Sequence, residues 1–270
     1  MDLRAINQNR FDLAKQLWGF AVLAKFLLFL IASIDVFSKS TFSYTPLLLL
    51  ILAITAEILQ WKSDAIKGQS ENLLRKIDMR ENFQKEISEA DKREIILTIP
   101  PKVLKQTPGN MTDAYFSSKQ PSSPRKALEN LAESAWYTKC LCDDMAKVCV
   151  CIIIALFLLS IIALNIATRE VADMNTQTSI SKVITAWLLL VFSLGIFKNA
   201  WGYHKMHQCC LKTETIVGSL LRNSDISEAD ANRQWHEYQL NRSSAPLLPN
   251  WLWGIRKSAL DHAWKSALTE

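Results

Sequence analysis

Polar and apolar positions are unevenly distributed along this chain. Four nearly uninterrupted apolar blocks stand out, at about residues 17–37, 45–61, 148–167 and 183–201. A bilayer core takes about 20 helical residues, so each block predicts a spanning helix, the second only just. The runs at 47–52 and 152–159 are too continuous for the one-sided stripe of a soluble amphipathic helix. The expected fold is an all-α membrane protein with four transmembrane helices paired as two hairpins. The first hairpin closes residues 1–61 and the second spans 148–201. Between and after them lie a helical insert, 62–147, and a helical tail, 202–270. Lys25 interrupts the first block and no A-x-A cleavage pattern follows it, so that block reads as a retained span, not a signal peptide.

The polar stretches also read as mainly helical. The second span runs on through residues 62–94, with Ile66, Leu73, Ile77 and Ile87 at loosely helical spacing and no sustained heptad. The short β-branched run at 95–99, closed by Pro100-Pro101, reads as a strand or a buried turn. Residues 105–123, rich in Pro, Gly, Ser and Thr, read as a loop. Ser123-Pro124 predicts a helix start, with Ser as the cap and Pro at the first helical position. The fourth span is expected to continue toward Arg222, and Asn223-Ser224-Asp225 to cap the next helix, at about 226–240. A last helix at about 250–268 carries Trp253, Leu260, Trp264 and Leu268 on one stripe, near Arg256, Lys257 and Lys265. Such a helix lies on a membrane surface or packs onto the polar segments. Trp18, Trp61, Trp136 and Trp201 fall near span ends, where indoles anchor to the interface.

Composition supports the membrane reading. Apolar residues make up 49% of the 270, with only 7 Gly and 8 Pro. Of the 31 Lys and Arg, 27 lie before the first block, in the insert or after Phe197. By the positive-inside rule the insert and both termini are expected in the cytoplasm. The net charge of +5 is spread thinly: the insert carries 15 basic and 13 acidic residues and 202–270 carries 8 and 7. That is no footprint for a nucleic-acid polymer. None of the six cysteines falls in an outside loop, so no disulfide framework is expected. Phosphate-loop, dinucleotide, nucleophile-elbow and zinc-protease motifs are all missing. Neither catalysis nor a cofactor is expected.

Three groups of residues carry candidate chemistry. Lys25 and Glu57 lie inside spans one and two, where charges are costly and usually pair or face a cavity. With a hairpin turn near residue 41, they fall at equal depth, which predicts an intramembrane pair. It would serve as a gating element or as plain glue between helices. Cys140 and Cys142 precede span three, and His204, His207, Cys209 and Cys210 follow span four. Thiols and imidazoles at one depth could ligate zinc or pack as small apolar groups. Finally, Arg125 and Lys126 at a helix start, with Arg222, Arg233, Trp235 and Arg242, could bind a small anion or be solvated surface.

The layout as a whole resembles the SMODS-associated four-transmembrane effectors of bacterial nucleotide-signalled antiphage defence. The local likeness is the tail Ala245-Pro-Leu-Leu-Pro-Asn-Trp-Leu-Trp253 with Gly254-Ile-Arg256, similar to a Pro-x-x-Pro-x-Trp segment of that family. The central segment departs from the family's insert, so no ligand contacts are carried over. The resemblance implies a homo-oligomeric, pore-forming effector of the bacterial inner membrane. Its cytoplasmic part would respond to a cyclic nucleotide or a partner protein. The other reading of the same layout is a non-catalytic scaffold or transporter-associated subunit that recruits cytoplasmic proteins.

Overall fold

The computed structural model describes residues 2–37, 44–98, 116–169 and 174–269. The turn of the first hairpin near residue 41, Ile99 with Pro100-Pro101, most of the 105–123 loop and the side chain of Leu268 lie outside the described residues. Among the described residues there are eight helices and no strand. They are α1 (Leu3–Phe37), α2 (Thr45–Phe83), α3 (Glu89–Thr98), α4 (Pro124–Arg169), α5 (Met174–Ser193), α6 (Ile196–Leu221), α7 (Glu228–Ser244) and α8 (Asn250–Thr269). Three segments are long and apolar enough to cross a membrane: Leu3–Asp35, Thr45–Phe83 and Pro124–Ile162.

The chain forms two compact units. A polar unit takes Met1–Lys15, Asp64–Asp144 and Gly202–Glu270, and an apolar unit takes Gln16–Ser63 and Met145–Trp201. Helices α1, α2, α4 and α6 each contribute residues to both.

The polar unit is a helical domain with its own core. One part packs Leu3 and Ile6 of α1, Leu73 and Ile77 of α2, Ile87, and Ile95 of α3. This burial explains a departure from the sequence expectation. Residues 95–98 are helical, not strand, because docking Ile95 into that cluster outweighs the weak β preference of a short β-branched run. Another part centres on Trp235 and Tyr238 of α7, both buried. The Trp235 Nε1 donates to the Ala127 carbonyl at 2.8 Å and the Tyr238 hydroxyl to the Ser134 carbonyl at 3.2 Å. Both acceptors are in α4, which begins at Pro124 with the Ser123 hydroxyl accepting from the Lys126 amide. The cap of α7 is Ser227, beyond the expected Asn223-Ser224-Asp225, with its side chain accepting from the Ala229 amide.

The proline-rich tail is built into this unit. Pro246 lies against Gly202, Tyr203 donates to the Leu247 carbonyl at 2.6 Å, and Asn250 joins Lys15 at 2.6 Å and Asp12 at 3.0 Å. Its helix, α8, turns the aromatic stripe onto α4. The Trp264 ring lies 5.3 Å from Trp136, and Trp253 lies 5.9 Å from Tyr137. Tyr137 donates to Asp261 at 2.9 Å and Arg256 pairs with Asp144 at 2.8 Å. Trp253 and Trp264 of that stripe thus pack onto a neighbouring helix.

In the apolar unit, α1 buries Ala21, Ala24 and Phe29 and α2 buries Ala56 and Ser63. Small residues let helix backbones approach closely in a membrane. Phe29 meets Trp187 of α5 edge-to-face at 5.4 Å. The fourth apolar block departs from the expected unbroken helix. It is divided at Leu194-Gly195, where Gly195 takes φ +63°. A residue without Cβ enters that left-handed region at little cost, which ends α5 before α6 begins.

A Cβ added at Gly202 would sit 2.7 Å from Pro246 Cδ and 2.8 Å from Cγ, and a proline ring has little freedom to yield. Gly202→Ala is expected to cost about 1–3 kcal/mol, read as a lowered midpoint in thermal unfolding of the detergent-solubilised protein. An unchanged midpoint would show that the tail is not clamped there.

Candidate functional site

The most unusual chemistry lies in the apolar unit. Lys25 of α1 places its Nζ 3.0 Å from Glu57 Oε1 of α2. The same ammonium donates to the Ser193 carbonyl at 3.1 Å. Ser193 is the last residue of α5, so its carbonyl is among those a helix end leaves without an intrahelical partner. The glycine break thus supplies an acceptor, and Lys25 ties three helices together through it. The two charges are unequally covered: the Lys25 side chain is 11% exposed and that of Glu57 70%. Lys25 is enclosed by its acceptors, whereas the carboxylate faces outward from a helix fit to span a membrane.

A second polar centre holds the polar unit together. Asp78 of α2 is buried and receives Arg4 of α1 at 3.3 Å, Gln239 of α7 at 3.3 Å and Arg242 of α7 at 3.8 Å. Arg4 also grips Glu81, and Arg242 pairs with Glu71 at 3.1 Å. Nearby on the same helix, Asn82 accepts from Asn130 of α4 at 2.7 Å, both buried. Removing one partner from such a buried charge cluster leaves the others exposed to the full desolvation cost. The cluster therefore fixes how α1, α2 and α7 meet. None of these residues except Arg242 stood out from the sequence. The available signal was a polar residue beside an apolar helical stripe, such as Asp78 after Leu73 and Ile77.

The expected anion pocket takes a different form. Trp235 is in the core, with its N–H spent on the Ala127 carbonyl. Arg242 is neutralised by Glu71 and Asp78. Arg125 and Arg233 each pair with an acid on their own helix, Glu129 at 3.5 Å and Asp230 at 3.2 Å. Lys126 contributes its amide to the Ser123 cap, and Arg222 is exposed beyond the end of α6. Four of the six are thus committed to partners within the unit.

The cysteine and histidine residues do not assemble a metal site. Among the described residues, no three His, Cys, Asp or Glu side chains are placed to hold a metal ion. His207 Nδ1 lies 3.2 Å from the Lys139 carbonyl, and His204 is exposed. Cys140 and Cys209 are half-buried, while Cys142 and Cys210 are buried. Equal depth along two helices sets height but not direction around each axis, which is why the zinc arrangement fails. Burial pushes the Cys142 thiol up to about 12 and raises that of Cys210 further. These are packing groups.

Comparison with known protein families, with characterised proteins and with solved structures finds no match to this chain.

Two tests follow from this geometry. With Lys25→Glu and Glu57→Lys made singly and together, each single change is expected to lower stability in detergent, and the double exchange to recover part of the loss. A double exchange no better than the singles would mean that the two charges are not coupled. For the thiols, burial holds Cys142 protonated well above the ordinary thiol range, so alkylation should spare it until the protein is denatured. Between the ordinary thiol range and pH 12 the folded state holds a proton that the unfolded state gives up. Stability should accordingly fall as pH rises through that window. Rapid labelling of Cys142 in the native protein would contradict its burial.

Proposed function

We propose that this chain is a membrane effector that conducts ions when its polar unit receives a signal. In this reading four spans form two hairpins in a bacterial inner membrane, with both termini and the polar unit in the cytoplasm. Copies of the chain assemble, because four spans are few for a pore within one subunit. The trigger is a cyclic nucleotide or a partner protein, and the chain performs no catalysis. The observation that carries this reading is the Glu57 carboxylate, 70% exposed on a helix apolar enough to cross a membrane. A charged side chain within a span is costly, most of all at the centre, and Glu57 lies one turn inside the end of the second apolar block. A lipid-facing anchor would have no use for it, whereas a water-filled path between subunits would stabilise it.

The polar unit has the form a sensor needs. Its charged centre around Asp78 joins α1, α2 and α7, and α1 and α2 continue into the apolar unit. A ligand that favours one arrangement of that centre would bias the spans directly. To switch the population cleanly it must prefer the open arrangement by about 5.5 kcal/mol.

The test is ion flux. Purified protein in potassium-loaded liposomes is exposed to a panel of cyclic di- and trinucleotides. At least one is expected to release potassium, with the release reduced severalfold in Glu57→Gln. Intact liposomes across the whole panel would remove the nucleotide-gated reading. Release of equal size in Glu57→Gln would remove Glu57 from the path.

A further inference from the structure

Four helices run from the polar unit into the apolar one. The last residues in the polar unit are Lys15 on α1 and Asp144 on α4, and the first are Asp64 on α2 and Gly202 on α6. One stretch of the tail touches all four helices at or near these residues. Lys67, three residues beyond Asp64, donates to the Ser243 carbonyl at 2.8 Å and to that of Ala245. Pro246 lies against Gly202. Asn250 accepts from Lys15 at 2.6 Å, and Arg256 pairs with Asp144 at 2.8 Å. Residues 243–256 thus form a band at the level where the four helices emerge.

In a chain whose apolar unit sits in a bilayer, that level is the membrane surface. The first apolar block starts at Leu17, two residues past Lys15, and the third at Val148, four past Asp144. Along a helix these steps are about 3 Å and 6 Å. The headgroup region extends about 5–7 Å beyond the hydrocarbon on each side, so the band lies within it. The start of α8 turns apolar groups outward at this depth. Trp251 is 52% exposed and Ile255 70%, one turn apart on one face. Leu252 and Leu260, both buried, mark the side that packs inward. An indole suits the boundary between headgroups and acyl chains, where its ring is in an apolar setting and its N–H stays wet. Charge agrees with lipid as the occupant. The first ten residues of α8, Asn250–Ala259, hold Arg256 and Lys257 and no acid, and anionic headgroups attract basic residues placed beside a span.

We propose that the first two turns of α8 are a lipid-binding surface, with Trp251 and Ile255 entering the headgroup–acyl boundary of the leaflet next to the polar unit. The band from Ser243 to Arg256 fixes their depth by holding α8 to all four helices. This rests on the membrane-spanning part of the reading above and needs neither the pore nor the trigger.

Photo-crosslinking reads the contact directly. Benzoylphenylalanine replaces Trp251 or Ile255, one at a time, in protein reconstituted into vesicles of phosphatidylethanolamine and phosphatidylglycerol. Lipid adducts are measured by mass spectrometry after irradiation. Two exposed apolar positions calibrate the yield, Phe157 in the third apolar block and Leu97 on α3 of the polar unit. Ile95, close to Leu97, packs in one cluster with Leu3, which is about 18 Å along α1 from Lys15. Adducts at Trp251 and Ile255 are expected at least fivefold above those at Leu97. A second readout keeps an aromatic ring in place: Trp251→Phe should lower the share of tryptophan fluorescence that brominated lipids quench. Yields at Trp251 and Ile255 no higher than at Leu97, with adducts at Phe157, overturn the lipid surface and leave the effector reading standing. Unchanged quenching in Trp251→Phe counts the same way. No adducts at Phe157 either would remove the membrane reading and this surface with it. Adducts at Trp251 and Ile255 in vesicles that stay intact with every nucleotide keep the surface and remove the nucleotide-gated effector.

Discussion

A lysine and a glutamate inside an apolar unit set the terms for the rest of this protein. Neither charge is tolerable in hydrocarbon alone, and each solves part of the other's difficulty. Lys25 has three donors to satisfy. It directs its ammonium both to Glu57 and to the Ser193 carbonyl. That carbonyl is open because α5 ends there, and α5 ends there because Gly195 permits a left-handed turn. One glycine, one lysine and one glutamate thereby bind α1, α2 and α5 at a single point. What remains unsolved within the single chain is the outward side of the carboxylate.

The polar unit answers the same physical problem differently. Its charges are gathered around buried Asp78, with Arg4 and Arg242 bringing in Glu81 and Glu71. Removing one member of such a buried cluster leaves its partners charged and unpaired, which is strongly destabilising. The tail strengthens the same unit by fitting Pro246 against Gly202 and by tying Asn250 to Lys15 and Asp12. Lys15 directly precedes the part of α1 that belongs to the apolar unit. The proline-rich segment thus has a structural role within the polar unit.

Much of the helical organisation was legible in the sequence, for reasons that can be named. Run length betrays long apolar helices because hydrocarbon thickness demands it. The start of α4 was legible because Ser123-Pro124 satisfies local needs. The division of the fourth block was not, since a lone glycine shows no preference between helix and turn until its neighbours are placed. Residues 95–98 misled because local β preference is weak and the Ile95 contact is remote in sequence. The Cys and His residues misled because depth says nothing about direction around a helix. The sequence offers Trp235 and Arg242 as anion-binding or solvated groups, yet their partners Ala127, Glu71 and Asp78 lie more than 100 residues away. Only the fold brings such partners together.

The central claim is that the open side of Glu57 faces water and not lipid. A nitroxide label at Ala53, one turn from Glu57 on its side of α2, reports this with Glu57 left intact. In reconstituted protein its spin relaxation should respond more to a water-soluble nickel chelate than to oxygen, which concentrates in the bilayer. A label at Leu23 on α1, an exposed apolar position, should respond in the opposite order. If both labels respond mainly to oxygen, the carboxylate lies against lipid and the account of Glu57 is wrong.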